Sequence, residues 1–485
     1  MPYIQGKDRN QLSLTPMCFD DFVDENNVCR VIEAYVLSLD MSALGFKYSD
    51  TQTTGRPPFN PANMLMLYIY GYMNRIRSSR RLEAEARRNV EVMWLLEGLT
   101  PDDKTICNFR KDNAVSLKKA FREFSLWCNR QDLYGRELVA VDGTKTRANS
   151  SAQNIYTEKL LKKQLEETNK RIRKYMKELD ENDTAEANEH KLSEQAVKTA
   201  LKCLREKKST LENRLEMVEN NDGNEISVVD PDARIMHQGG DGRNLDACYN
   251  VQTVADDKHN LIVDFEVSTL ADDKGALPQM TESAKEIMGV DEIAVVADKG
   301  YYHAGDIAEC EANNTTCYIP ALRRAGPLPP DDNYDRENFK FDRKNDCFIC
   351  PDGNILCFSR ETEKPNGDII KTYENIEACA NCKNRSKCTK NKGGRKLQRS
   401  SKRDILDVID NRMKTDAALE ISRKRKTIVE HPFGTTKKIW GFNQFLCRTK
   451  EKTTAEQSLV FLAYNLRRVI NIFKGNGRNL VEVMG

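Results

Sequence analysis

Leu138-Val-Ala-Val-Asp-Gly-Thr144 and a second stretch of the same design, Ile293-Ala-Val-Val-Ala-Asp-Lys-Gly300, decide the fold. Each is a short apolar run, rich in valine and alanine, that closes on an aspartate. Runs of this length bounded by turn residues read as buried strands. Asp142 and Asp298 therefore stand at strand ends. A third acid, Glu430, has a different setting: Arg423-Lys-Arg-Lys-Thr-Ile-Val-Glu-His-Pro-Phe-Gly-Thr-Thr-Lys437 reads as a basic helix. Taken singly, an Asp-Gly strand end is a plain turn, since both residues favour turns. Taken together, the three carboxylates read as a site.

Working outward, the order of elements follows from these strands. Tyr249-Asn-Val-Gln-Thr-Val-Ala255 and Leu261-Ile-Val-Asp-Phe-Glu-Val-Ser268 read as strands joined by the turn Asp256-Asp-Lys-His-Asn260. A helix over 277–288, the strand 293–298, a helix near 304–312 and a short strand at Thr316-Cys-Tyr-Ile-Pro320 follow. Antiparallel strands followed by alternating helix and strand predict an α/β, RNase H-like core. In that order the first and fourth strands are neighbours, which brings Asp142 and Asp298 together. Residues 155–179 and 191–218 interrupt the core with two charged helices. Leu161, Leu165, Thr168, Ile172, Tyr175 and Leu179 alternate spacings of four and three. Val197, Leu201, Leu204, Lys208, Leu211, Leu215 and Val218 do the same. These predict an antiparallel hairpin turning at Asp180–Glu186, serving as a spacer, a dimer contact or a DNA clamp.

The region before the core reads as helical. Asn60 caps and Pro61 opens an apolar helix, and short helices follow from Ser79 and Val90. Thr105–Arg110 fits a recognition helix of helix-turn-helix type or a plain packing helix. Arg75, Arg77, Arg80, Arg81, Arg87, Arg88, Arg110 and Lys111 supply charge there. The expected division is a helical, DNA-binding region over 1–130 and a first core part over 131–335 carrying the hairpin 155–218. A cysteine-rich insert over 336–395 and a helical core part over 396–485 complete it.

Six cysteines, Cys347, Cys350, Cys357, Cys379, Cys382 and Cys388, cluster in that insert. Paired Cys-x2-Cys knuckles suit tetrahedral Zn²⁺, whose thiolate ligands converge from two short turns. With strand-like segments between them, they predict a zinc-ribbon-like insert. Cys350, Cys379, Cys382 and Cys388 are the expected ligands of a structural zinc, with Cys347 the leading substitute.

Composition sets the outer bounds. The chain has 485 residues, 39% hydrophobic content and a net charge of only +2. Between Gly393 and Lys452, however, sixteen Lys/Arg face seven Asp/Glu, a footprint suited to phosphates. No apolar run reaches the roughly 20 residues of a membrane span, and the N-terminus lacks a signal-like apolar segment. A soluble, intracellular protein without a membrane partner is expected, so its fifteen cysteines are read as thiols or metal ligands rather than disulfides. There is no Gly-x-Ser-x-Gly elbow and no Gly-x4-Gly-Lys-Ser/Thr phosphate loop. Nucleophilic-serine and nucleotide-driven chemistry are excluded on those grounds.

Asp142, Asp298 and Glu430 are instead the residue types that hold a pair of Mg²⁺ or Mn²⁺ ions for phosphoryl transfer. Lys437, two turns beyond Glu430, is expected on the same face and beside a DNA phosphate. Arg425 and Lys426 are placed to do likewise. His431, about 100° around the helix, is expected at a phosphate or water. Arg234 and Asp232 read as shaping a turn.

At these residues the chain resembles a bacterial insertion-sequence transposase of the DDE class, nearest to insertion sequence family 1182 in the broad set around families 4 and 5. The likeness lies in Arg56-Pro-Pro-Phe-Asn-Pro61, Thr105-Ile-Cys-Asn-Phe-Arg110, Val141-Asp-Gly-Thr144, Val296-Ala-Asp-Lys-Gly-Tyr301 and Val429-Glu-His-Pro-Phe-Gly-Thr-Thr-Lys437. Related family 4 enzymes carry Tyr-x2-Arg-x3-Glu-x6-Lys. Here Glu430 and Lys437 keep the spacing, while Arg423 replaces the tyrosine and Lys426 the arginine. The resemblance implies cleavage at the ends of the protein's own element and joining to target DNA. It implies catalysis by Asp142, Asp298 and Glu430 with Mg²⁺, and DNA contacts from Arg423, Arg425, Lys426 and Lys437. It also implies a homodimer in the synaptic complex and a cytoplasmic, nucleoid-associated setting. An RNase H-like nuclease that cuts without joining shares the acids; a non-catalytic zinc-containing DNA-binding protein shares the cysteines.

Overall fold

The structure is a computed structural model that describes residues 18–50, 57–183, 191–220, 225–238, 244–321, 331–363, 369–476 and 480–484. The chain divides into two compact units. One holds Met1–Tyr134, Gly143–Ala271 and Glu430–Gly485, and the other holds Gly135–Asp142 and Asp272–Val429.

The first unit opens with helices α1 (Val28–Leu37), α2 (Pro61–Met73), α3 (Ser79–Arg88), α4 (Val90–Leu95), α5 (Asp103–Asp112) and α6 (Ala114–Arg130). Asn60 caps α2 by accepting from Ala62 N, and Pro61 occupies the first turn. Every residue of α2 is buried, as a helix apolar on all faces requires. Asp102 caps α5, whose Ile106, Phe109 and Arg110 face inward. Arg110 donates to Tyr72 Oη at 3.0 Å and stacks over Tyr68. That face of the expected recognition helix is therefore committed to packing, and Arg110 is not among the surface cations.

Strand β1 (Leu138–Arg147) comes next, longer than expected by three residues. Its first half belongs to the second unit and Gly143–Arg147 to the first. The inserted hairpin follows as β2 (Ile155–Thr157), α7 (Glu158–Asp183), α8 (Lys191–Glu219) and β3 (Glu225–Ser227). The two helices pack together, and β2 pairs antiparallel with β3 to close their base. Leu161, Leu211, Val218 and Ile226 form its small core, with Leu165 and Leu215 against it. Helix α7 runs past the expected turn at Asp180 to Asp183; residues 184–190 lie outside the described residues.

Strands β4 (Arg234–Gln238), β5 (Asn244–Asp256) and β6 (Ile262–Ser268) complete this stretch. Strand β4 is not among the strands expected from the sequence. Both β4 and β6 pair antiparallel with β5, and β5 neighbours β1. Arg234 braces the turn before β4, while Asp232 holds the backbone of Lys450. Arg234 Nη1 donates to Pro231 O at 2.7 Å, and Asp232 accepts from Lys450 N at 2.7 Å.

In the second unit, residues 138–141 of β1 pair in parallel with β7 (Ile293–Ala297), reached through α9 (Ala276–Met288). After α10 (Ala304–Ala312), β8 (Thr315–Tyr318) pairs in parallel with β7. Val139, Ala140, Val141, Val295, Val296 and Ala297 are fully buried, as parallel strands covered on both faces demand.

A separate antiparallel sheet follows: β9 (Lys340–Asp342), β10 (Cys347–Ile349), β11 (Ile355–Glu363), β12 (Ile369–Glu374) and β13 (Lys396–Ser400), in the order β13-β12-β11-β10-β9. Its core is Phe339, Phe348, Leu356, Tyr373 and Leu397. Short helices α11 (Ile376–Ala380) and α12 (Arg385–Cys388) lie between β12 and β13. The insert is thus a five-stranded sheet with its own core, larger than a ribbon of two hairpins. Helix α13 (Arg403–Arg412) anchors to α10 and β8: Arg412 donates to Glu311 Oε2 at 3.0 Å and to Cys317 O at 2.9 Å.

Helix α14 (Asp416–Phe433) leads back into the first unit, followed by a π-helical turn at Gly434–Ile439. Helix α15 (Lys450–Gly475) packs on α6 and α2, and α16 (Leu480–Met484) ends the chain's described part. Buried Asn465 of α15 clamps the start of β6, accepting from Ile262 N at 2.9 Å and donating to Ile262 O at 2.7 Å. Lys118 of α6 pairs with Asp264 of β6 at 2.6 Å. The N-terminal helices thus share one core with β6 and α15, and the chain passes from the first unit to the second between Tyr134 and Gly135.

Candidate active site

The register of β1 against β7 sets Val141 opposite Ala297. Asp142 and Asp298 are the next residues along the two strands, just where the parallel pairing stops; β7 ends there, while β1 runs on to Arg147. Neighbouring strands lie about 4.8 Å apart, so the two aspartates follow closely spaced backbones where the pairing stops. Both are half-buried, each behind a fully buried apolar run.

Asp298 also performs the local task of its turn. Its Oδ1 accepts from Gly300 N at 2.6 Å and starts a single turn at Lys299–Tyr301. Gly300 lies close to two carboxylates. A side-chain carbon there would stand 2.8 Å from Asp298 Oδ1 and 3.3 Å from Asp273 Oδ2. Asp273, from the connection between β6 and α9, is thus a third carboxylate at this edge. It was missed in the sequence; its only local signal is the acidic pair Asp272-Asp273 ahead of Lys274-Gly275, which reads as a turn.

Arg425 of α14 has its Nη1 3.6 Å from Asp142 Oδ2, with each side chain 23% exposed. The residue expected at a phosphate thus stands as a counter-ion to the first aspartate. Glu430 lies five residues further along α14, exposed, at the point where the helix enters the first unit. Arg423 and Lys426 are exposed on the same helix.

Lys437 departs from its expected position. Counting seven residues as two turns assumes α-helical spacing, but Gly434–Ile439 is π-helical, and wider turns change the angle per residue. Its Nζ donates to Lys145 O at 2.6 Å, three residues past Asp142 on β1. Burial pushes its pKa down to about 8. Lys437 holds a strand backbone rather than standing free for a phosphate.

His431 is likewise committed. Arg468 Nη1 donates to its Nε2 at 3.1 Å; a guanidinium only donates, so Nδ1 carries the ring proton. Nδ1 donates to Tyr464 Oη at 2.7 Å, and that hydroxyl donates to Asn260 O at 2.8 Å. Burial, then Arg468, lowers the imidazole pKa. Both ring nitrogens are used within the first unit, which removes His431 from the expected phosphate or water contacts.

In the second unit, Cys350, Cys379, Cys382 and Cys388 all line one cavity of about 30 Å³. Cys347 and Cys357 do not; they face each other across β10 and β11. Among the described residues, no group of three or more His, Cys, Asp or Glu side chains already stands in metal-holding geometry. Burial raises the Cys388 thiol; Arg395 opposes this, and Cys379, Cys350 and Cys382 add to it.

Two stretches of the chain match known families. Residues 17–112 match the model of a transposase domain, DUF772, and residues 349–470 match the model of a transposase DDE domain. Both matches support a transposase. The second takes in the four cavity cysteines, Arg425 and Glu430, whereas Asp142 and Asp298 lie outside it. No curated protein matches the chain. A cryo-EM structure of a piggyBac transposase synaptic complex with hairpin DNA overlays with a TM-score of 0.33 and 9% identity. The overlay covers 96% of this chain and 77% of that one. So loose an overlay carries no weight for fold or chemistry. No helix among the described residues is long and apolar enough to cross a membrane.

Proposed function

We propose that this chain is a DDE transposase of the insertion-sequence kind, resembling family 1182, which cuts the ends of its own element and joins them to target DNA. The observation that supports the reading is the parallel register of β1 on β7, whose last pair, Val141 opposite Ala297, immediately precedes Asp142 and Asp298. The strand neighbours of β1, with β5 in one unit and β7 then β8 in the other, support an RNase H-like core.

The donor set suits a hard divalent cation. Asp142 and Asp298 offer carboxylate oxygens at one edge, and Asp273 lies beside Asp298. Arg425, 3.6 Å from Asp142, presents a positive charge to that carboxylate. Asp142 and Asp298 would hold Mg²⁺ or Mn²⁺, with Glu430 brought by α14 as the third acid. When bound, such ions lower the pKa of an attacking water or 3′-hydroxyl and stabilise the leaving oxygen. The chain's own part is to fix the carboxylates on rigid strand ends and to bind the phosphate backbone. Exposed Arg423 and Lys426 supply that binding from α14. Pairing two DNA ends calls for a homodimer, working in the cytoplasm on the nucleoid.

The test incubates purified protein with element ends, a target plasmid and Mg²⁺ or Mn²⁺. Joined products are expected, lost in Asp142→Asn, Asp298→Asn and Glu430→Gln variants that still bind DNA. Cutting without joining would replace the reading by a nuclease. DNA binding with no metal-dependent cutting would replace it by a non-catalytic DNA-binding protein.

A further inference from the structure

We infer that Cys350, Cys379, Cys382 and Cys388 form a tetrathiolate zinc site that fastens the excursion between β12 and β13 onto the turn between β10 and β11. The inference rests on the second unit alone and stands independently of the proposed chemistry.

Spacing leaves six candidate thiols; the fold selects four. Cys350 comes from the β10–β11 turn, Cys379 from α11, Cys382 from the loop after it and Cys388 from the end of α12. All four border the same cavity. Cys347 and Cys357 are cross-strand neighbours and do not border it.

The surroundings are those of a metal thiolate. Arg395 lines the cavity, and its Nε is buried with no hydrogen-bond partner. A buried guanidinium N–H without an acceptor is costly, and a thiolate held on a metal is the acceptor that this position lacks. Four thiolates on one Zn²⁺ leave a net charge of about −2, which the guanidinium offsets. Asn354 N already donates to Cys350 Sγ at 3.3 Å, orienting that sulfur from its own turn. At Gly394, φ is +87°, and a side-chain carbon would stand 2.5 Å from Cys379 Cβ. The backbone thus closes on the site where only glycine fits.

Four sulfur donors select a soft or borderline cation over Mg²⁺. Binding releases four thiol protons to solvent and leaves no open position for water, so the site is structural. It ties two turns that β-pairing alone leaves apart and so braces the sheet edge that leads through β13 into α13 and α14.

The test uses the full chain expressed with zinc, metal analysis, and exchange into Co²⁺. About one zinc per chain is expected, together with the near-ultraviolet sulfur-to-cobalt band of tetrahedral thiolate. Cys382→Ser and Cys388→Ser should lose the metal, while Cys347→Ser and Cys357→Ser keep it. Arg395→Met should keep the site but weaken zinc by about ten- to a hundredfold. Should the ligand variants fail to fold, the wild-type chain still decides. Absence of zinc together with absence of the cobalt–thiolate band overturns the inference, as does metal loss in Cys347→Ser.

Discussion

Asp298 performs the local task of its turn and is also the second acid of the proposed site. Its Oδ1 caps the turn through Gly300 N, and its strand pairs with that of Asp142 up to the residue before each. The turn reading and the catalytic reading of an Asp-Gly strand end are thus compatible, since the hydrogen bond that makes the turn also fixes the carboxylate. Arg425 sets the charge at this edge. An Arg425→Ala variant removes the guanidinium facing Asp142, so a divalent cation no longer competes with it. For a part-exposed pair worth under about 1 kcal/mol, the Mn²⁺ concentration at half-maximal cleavage should fall by about two- to fivefold. A titration of cleavage against Mn²⁺ reads this directly, and a rise in the Mn²⁺ requirement would contradict the counter-ion role.

At the scale of elements, the late helices are tied down by polar groups that prefer to be uncharged. Burial, then Arg468, lowers the His431 pKa, and burial, Lys258 and Arg468 lower that of His259. The unfolded chain takes up these protons near pH 6.5, whereas the folded chain resists them. Stability present above that pH is therefore lost as pH falls through it. A His431→Gln variant should show a smaller drop in urea midpoint between pH 7.5 and 5.5 than the wild type; an equal drop would assign the effect elsewhere. The hairpin makes a second case. Leu161 is fully buried in a core belonging to α7, α8, β2 and β3. Leu161→Ala should cost about 2–5 kcal/mol there. Amide exchange should speed up across 158–219 and stay slow in β5 and β6 if the hairpin folds as its own unit.

For the whole molecule, a net charge of +2 conceals the basic stretch from Gly393 to Lys452. DNA affinity should fall log-linearly with salt, and Arg423→Ala or Lys426→Ala should each make the slope shallower by about 0.9. Unchanged slopes would place the DNA path on other residues. Much of the design was legible beforehand. The apolar runs ending at Asp142 and Asp298 and the hairpin's alternating spacing are local signals, produced by a strand's need for burial and a helix's period. Five features were not legible: β4, Asp273, Arg425 against Asp142, the diversion of Lys437 and His431, and the shared core of α2, α6, β6 and α15. Each depends on which distant segments meet. Asp273 reaches Asp298 through the path of the β6–α9 connection, and Lys437 is re-aimed by a π-helical turn that has no periodic signature. The sequence alone determined the elements and the chemical types available, because those depend on neighbours a few residues away. Only the tertiary structure decided which side chains are committed to holding the fold and which are left at the sheet edge, because long-range packing distributes the hydrogen-bond and charge partners.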